Sequence, residues 1–221
     1  MKSFSISKAI RHGWSVFEKR PWFFVGSALL SILIIGSISA LLETKSDISI
    51  ISSSLAYVVG FFAQTLIQMA WLSLGLSATK SSFKPTWSSF FAHTTRYWHL
   101  VLAALMYNIA LLVIIGVGAF ALVLGPLGFI VLALAIAGVF ALVARYQLYF
   151  FAVLESKTVK EAFRASAAIT KGRRFKFLLF LYALALLNIA GVLALGVGLF
   201  ITIPVSWLAY AHVYKELKNS Q

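Results

Sequence analysis

LVLAALMYNIALLVIIGVGAFALVLGPLGFIVLALAIAGVFALVA, residues 100–144, carries no charged side chain from end to end. A run this long and this apolar is interrupted only at Leu124-Gly125-Pro126-Leu127-Gly128, where Gly and Pro punctuate an otherwise helical pattern. It reads as a hairpin of two helices, Leu100–Phe120 and Leu127–Leu154. Each is long enough for the ~20 residues that crossing hydrocarbon requires.

The same pattern extends outward in both directions. Trp22–Leu42, Ile50–Ser77, Phe175–Leu195 and Val197–Tyr214 are further apolar stretches of spanning length, with Pro204 expected to kink the last or delay its start. Over 221 residues the chain is 61% hydrophobic and 11% charged, with a mean hydropathy of +0.94. Soluble domains have roughly a quarter of their residues charged, so lipid is the expected solvent. The predicted fold is an all-α polytopic membrane helix bundle with six transmembrane helices, forming a single membrane domain over residues 1–221.

Charge placement predicts the orientation. Of the nineteen Lys and Arg residues, all but Lys45 fall before the first stretch, after the second, at and beyond the end of the fourth, or at the C-terminus. By the positive-inside rule this puts both termini and every second connection in the cytoplasm. The net charge of +13 lies close to the spans, which favours anionic headgroups over nucleic acid as the partner. Residues 1–20 are basic but lack a small-residue cleavage site, so they read as an anchor and not a removed signal.

Aromatic anchors open each odd stretch: Trp22-Phe23-Phe24, Tyr97-Trp98 and Phe175 with Phe177. Before each anchor an amphipathic helix is predicted to lie in the interface on the cytoplasmic side. The first presents Ile6, Ala9, Ile10, Gly13 and Phe17 on one face, and the second carries Trp87, Phe90 and Phe91. The third presents Val159, Ala162, Phe163, Ser166 and Ile169, opened by a Thr158-x-x-Glu161 capping box. This ordering of amphipathic helix, span, turn and span would occur three times, over residues 4–78, 84–154 and 158–217. Asn108-Ile109-Ala110, Gly116-Val117-Gly118 and Phe120 recur at a constant offset as Asn188-Ile189-Ala190, Gly196-Val197-Gly198 and Phe200. Units in one orientation are parallel repeats about the membrane normal.

Function is sought among polar groups at membrane depth and basic groups at its edge. Gln64, Gln68, Asn108, Gln147 and Asn188 either line a polar path or hydrogen-bond between helices. Since none is charged, the packing role is favoured. Arg145 is expected to snorkel to the headgroups, and Arg173, Arg174 and Lys176 form with Lys171 a basic cluster suited to anionic lipid. With no cysteine, no HExxH pattern and no nucleophile–base pair, the sequence nominates no catalytic residue, metal ligand or cofactor.

Ala162-Phe163-Arg164-Ala165-Ser166, Thr170-Lys171-Gly172, the Gly-rich hairpin, Pro204, Tyr210 and Tyr214 together resemble poorly characterised bacterial inner-membrane proteins. Those proteins are themselves described by similarity to the membrane domain of glycerophosphodiester phosphodiesterases. The resemblance covers the last sixty or so residues and implies a six-helix module in the bacterial cytoplasmic membrane, without the catalytic domain. The expected function is non-catalytic engagement of anionic lipid or a membrane protein partner; the alternative is a small-solute transporter or channel.

Overall fold

Long apolar segments with few helix breakers form helices because every backbone N–H and C=O is then satisfied within the segment. The computed structural model describes residues 4–43, 50–80 and 83–220, and no strand occurs among them. The helices are α1 (Ile6–Phe17), α2 (Pro21–Glu43), α3 (Ile50–Ala78), α4 (Tyr97–Phe120) and α5 (Pro126–Tyr146). They continue as α6 (Tyr149–Glu155), α7 (Val159–Ile169), α8 (Arg174–Leu193) and α9 (Leu199–Lys218). The connection 44–49, which holds Lys45, lies outside the described residues.

Five segments among the described residues are long and apolar enough to cross a membrane: Pro21–Ala40, Tyr57–Ala78, Trp87–Leu124, Pro126–Glu155 and Arg174–Leu193. Their outer surfaces are apolar, with Leu112, Phe129 and Leu134 all about two-thirds exposed. The stretch expected as a sixth span forms α9, which is not among the five. Thr202, Pro204, Ser206, His212, Lys215 and Glu216 dilute its apolar content, and Val205, Leu208, Ala209, Val213 and Tyr214 are buried. A helix packed on several sides by protein need not be apolar all round.

The chain divides into two compact units. One comprises residues up to Tyr97 together with Tyr182–Ser220, and the other Trp98–Leu181. In the first, α9 packs against α1, α2 and α3. Phe17, Phe24, Trp71, Leu74, Phe90, Val205 and Leu208 form its core. Trp71 donates from Nε1 to Ser31 Oγ at 3.2 Å, and Arg20 ties the polar connection down by donating to the carbonyl of Pro85 at 3.2 Å. α1 lies so close to α9 that a Cβ on Gly13 would fall 2.5 Å from the backbone oxygen of Val205. Only glycine fits there.

Two local expectations need correction. The second amphipathic segment is a short 3-10 turn, Trp87–Phe91, not an α-helix. Pro85 precedes it, and a single buried ring, Phe90, packs near Phe23 and Trp71. The fourth apolar stretch is not one helix across Leu127–Leu154. Gln147 and Leu148 form a turn, with ψ at Leu148 flattened to −1°, and α6 begins afresh at Tyr149.

The short amphipathic elements share one habit. α1 packs on α9, the Trp87–Phe91 turn on α3, and α7 on α6 and α5.

Candidate functional site

α7 begins where Thr158 Oγ1 accepts from the N–H of Glu161 at 3.2 Å. The reciprocal bond goes to the N–H of Lys157 at 3.1 Å, one residue earlier than a capping box uses. Along its inner face Ala162, Ser166 and Ile169 are buried. A buried hydroxyl must find an acceptor, and a helix end leaves carbonyls without intrahelical partners. Both needs are met at one atom. The carbonyl oxygen of Arg145, at the end of α5, accepts from Ser166 Oγ and Thr170 Oγ1, each at 3.2 Å. The break after Tyr146 thus has a partner built for it.

Aromatic packing reinforces this joint. Tyr107 on α4 donates to Gln147 Oε1 at 2.6 Å, and its ring lies 4.9 Å from that of Tyr149. Tyr149 stacks on Phe163 at 5.0 Å, and Tyr146 meets Phe163 edge-on at 5.8 Å. Between α4, α5 and α7 these contacts leave a groove of about 640 Å³. Its apolar lining comes from Met106, Ala110, Leu142, Val159, Phe163 and Ala167. Three cations, Arg145, Lys160 and Arg164, complete it, and no carboxylate does. The Arg145 guanidinium sits 5.1 Å from the centre of the Tyr146 ring, within cation–π reach.

Of the basic residues singled out in the sequence, Arg145 is exposed at this groove. Arg173, Arg174 and Lys176 follow the turn at Gly172, whose φ of +77° an L side chain rarely adopts. The N–H of Arg173 donates to Thr170 O at 3.0 Å and its carbonyl accepts from Phe177 at 2.9 Å, so Arg173 opens α8 directly after the hydroxyls that bind Arg145. Arg174 is exposed, and Arg173 and Lys176 are half-buried.

The amides of the long apolar segments make mostly local contacts. Gln64 is exposed and Gln68 half-buried on α3. Asn108 and Asn188 each donate to the carbonyl four residues back, to Ala104 and Leu184, both at 2.8 Å. Unlike Asn108, Asn188 also reaches another helix, with Nδ2 3.0 Å from Ser206 Oγ, and Gln147 accepts from Tyr107 of α4. The matched Gly-Val-Gly runs also differ, since Gly116 to Gly118 lie inside α4 while Gly196 to Gly198 form the turn before α9.

Sequence reasoning overlooked the joint itself. The spacing places Ser166 on the apolar face of α7 and does not say what its hydroxyl meets. A serine amid apolar positions with a threonine four residues on was the available signal for a buried acceptor.

A second polar contact lies in the other unit. His12 on α1 stacks on His212 of α9 with ring centres 4.2 Å apart, and His212 Nε2 is 3.8 Å from Glu216 Oε2. Burial, helped by His212 and Lys19, lowers the His12 pKa to about 4. Among the described residues no group of three or more His, Asp or Glu side chains could hold a metal ion. No family model matches the chain, and no curated protein or solved structure matches it either.

Proposed function

We propose that this chain is a non-catalytic membrane protein of six spans, with both termini and its basic connections on the cytoplasmic face, where it engages anionic lipid headgroups. The observation that carries this reading is the joint at Arg145. Through Ser166 and Thr170 it pins a cation-bearing amphipathic helix to the end of a spanning one, next to the Arg173–Lys176 cluster. Each such cation near an anionic surface is worth about 1 kcal/mol. The anchors Trp22, Phe175 and Trp98, exposed by 84%, 75% and 65%, have the outward placement that an aromatic belt needs. α9 supplies the sixth span up to Tyr214, with Lys215 and Lys218 of its last turn at the cytoplasmic edge. The recurrence of Asn-Ile-Ala and Gly-Val-Gly at a constant offset supports parallel repeats.

Vesicle binding tests the headgroup reading. The purified protein is expected to prefer phosphatidylglycerol over phosphatidylcholine vesicles, with the preference weakening as salt shortens the Debye length. R173Q/R174Q/K176Q should lose most of it. Equal binding of wild type to both lipids would overturn the reading. It would shift weight to a solute pathway, in which N108L/N188L and not the basic variant abolishes function. Orientation is tested in the cysteine-free chain: an impermeant external reagent should label a cysteine at Ser46 and not one at Ser88. The reverse would invert the topology.

A further inference from the structure

Two rows run side by side along α7. Val159, Phe163 and Ala167 make an apolar row at spacings of four, and Lys160 and Arg164 make a cationic row one residue over. Both line the groove against α4 and α5. Like charges four apart on a helix repel, Arg145 adds a third from α5, and no acidic side chain lines the cavity to offset them. The nearby carboxylate of Glu161 is turned to the N–H of Lys157. A groove with an apolar lining and three cationic side chains at it is complementary to a molecule with an apolar chain and an anionic head.

We propose that this groove is a specific site for one anionic phospholipid. One acyl chain lies along Met106, Ala110, Leu142, Phe163 and Ala167, and the phosphate sits among Arg145, Lys160 and Arg164. The volume of about 640 Å³ falls within the about 300–1,000 Å³ of sites that take small molecules. Arg guanidinium groups favour phosphate oxygens through paired, charge-assisted hydrogen bonds, and Arg145 is already held over Tyr146. The inference rests on the membrane reading above but differs from it. Surface attraction is diffuse and many-lipid, whereas this site binds a single molecule by shape as well as charge.

Native mass spectrometry of the full chain, released from phosphatidylglycerol–phosphatidylcholine nanodiscs into detergent, tests it. Wild type should retain one phosphatidylglycerol per chain, and millimolar inorganic phosphate should not displace it. A110W fills the groove without changing charge, and K160Q/R164Q removes charge without filling it. Each should lower occupancy at least tenfold with unchanged helix content by circular dichroism. R173Q/R174Q/K176Q, by contrast, should keep the bound lipid even as its vesicle preference falls, so the two readings fail separately. Retention by A110W or by K160Q/R164Q, equal retention of phosphatidylcholine, or displacement by free phosphate would each overturn the proposal.

Discussion

Thr170 holds its hydroxyl 3.2 Å from the carbonyl oxygen of Arg145, an atom that also accepts from Ser166. Two hydroxyls from one helix thereby satisfy the terminal carbonyl of another, and both side chains are fully buried. Removing them takes away both side-chain donors to the Arg145 carbonyl, although Thr170 Oγ1 also lies 3.0 Å from Ser166 O in its own helix. S166A/T170V should destabilise the α7 joint by about 1–3 kcal/mol. Hydrogen exchange should show faster amides in α7 while α3 stays protected. Unchanged α7 protection would mean that apolar contact alone holds it.

Close approach of backbones governs the other unit. A Cβ at Gly13 would lie 2.5 Å from the Val205 oxygen and 3.1 Å from the Ala209 nitrogen, and neither backbone can yield like a flexible side chain. G13V should cost about 1–3 kcal/mol by overpacking. A lower unfolding temperature in detergent, with α1 released first to limited proteolysis, is the expected outcome.

Acid should loosen the same contact. The pKa of His12 falls to about 4 in the folded chain, against about 6.5 when unfolded. The unfolded chain therefore binds more protons between these values. The contribution to stability is complete above about pH 6.5 and is lost as pH falls towards 4. Facing His12 are the His212 ring and Lys19, with Glu216 beyond His212. Protection factors of α1 amides, corrected for the base-catalysed intrinsic rate, should fall between pH 7.5 and 4.5, and H12Q should flatten that dependence.

Asn108 and Asn188 look equivalent in the sequence but should respond differently to substitution. Asn108 bonds only within its own helix, while Asn188 also reaches Ser206 on α9. N188L should cost about 0.6–2 kcal/mol, the range for hydrogen bonds between membrane helices. N108L should be close to neutral. Equal losses in thermal unfolding would mean that Asn108 has an interhelical role as well.

Periodicity, composition and charge order are properties of the chain itself, and they were sufficient for much of the architecture. A run such as 100–144, uncharged throughout and almost wholly apolar, satisfies its backbone in lipid as helix. The amphipathic faces of α1 and α7 follow from spacing alone, as do the glycine turns at Gly125 and Gly196. The helix break at Gln147-Leu148 could not be read that way, because no proline or glycine marks it. It is accommodated by Ser166 and Thr170, some twenty residues further along. The groove likewise joins residues near positions 106, 145 and 163. His12 meets His212 across nearly the whole chain. Local pattern sets which segments are helical because helix hydrogen bonds span four residues. Which hydroxyl meets which carbonyl, and which cations converge, depends on packing between distant segments, and that is decided only when the helices meet.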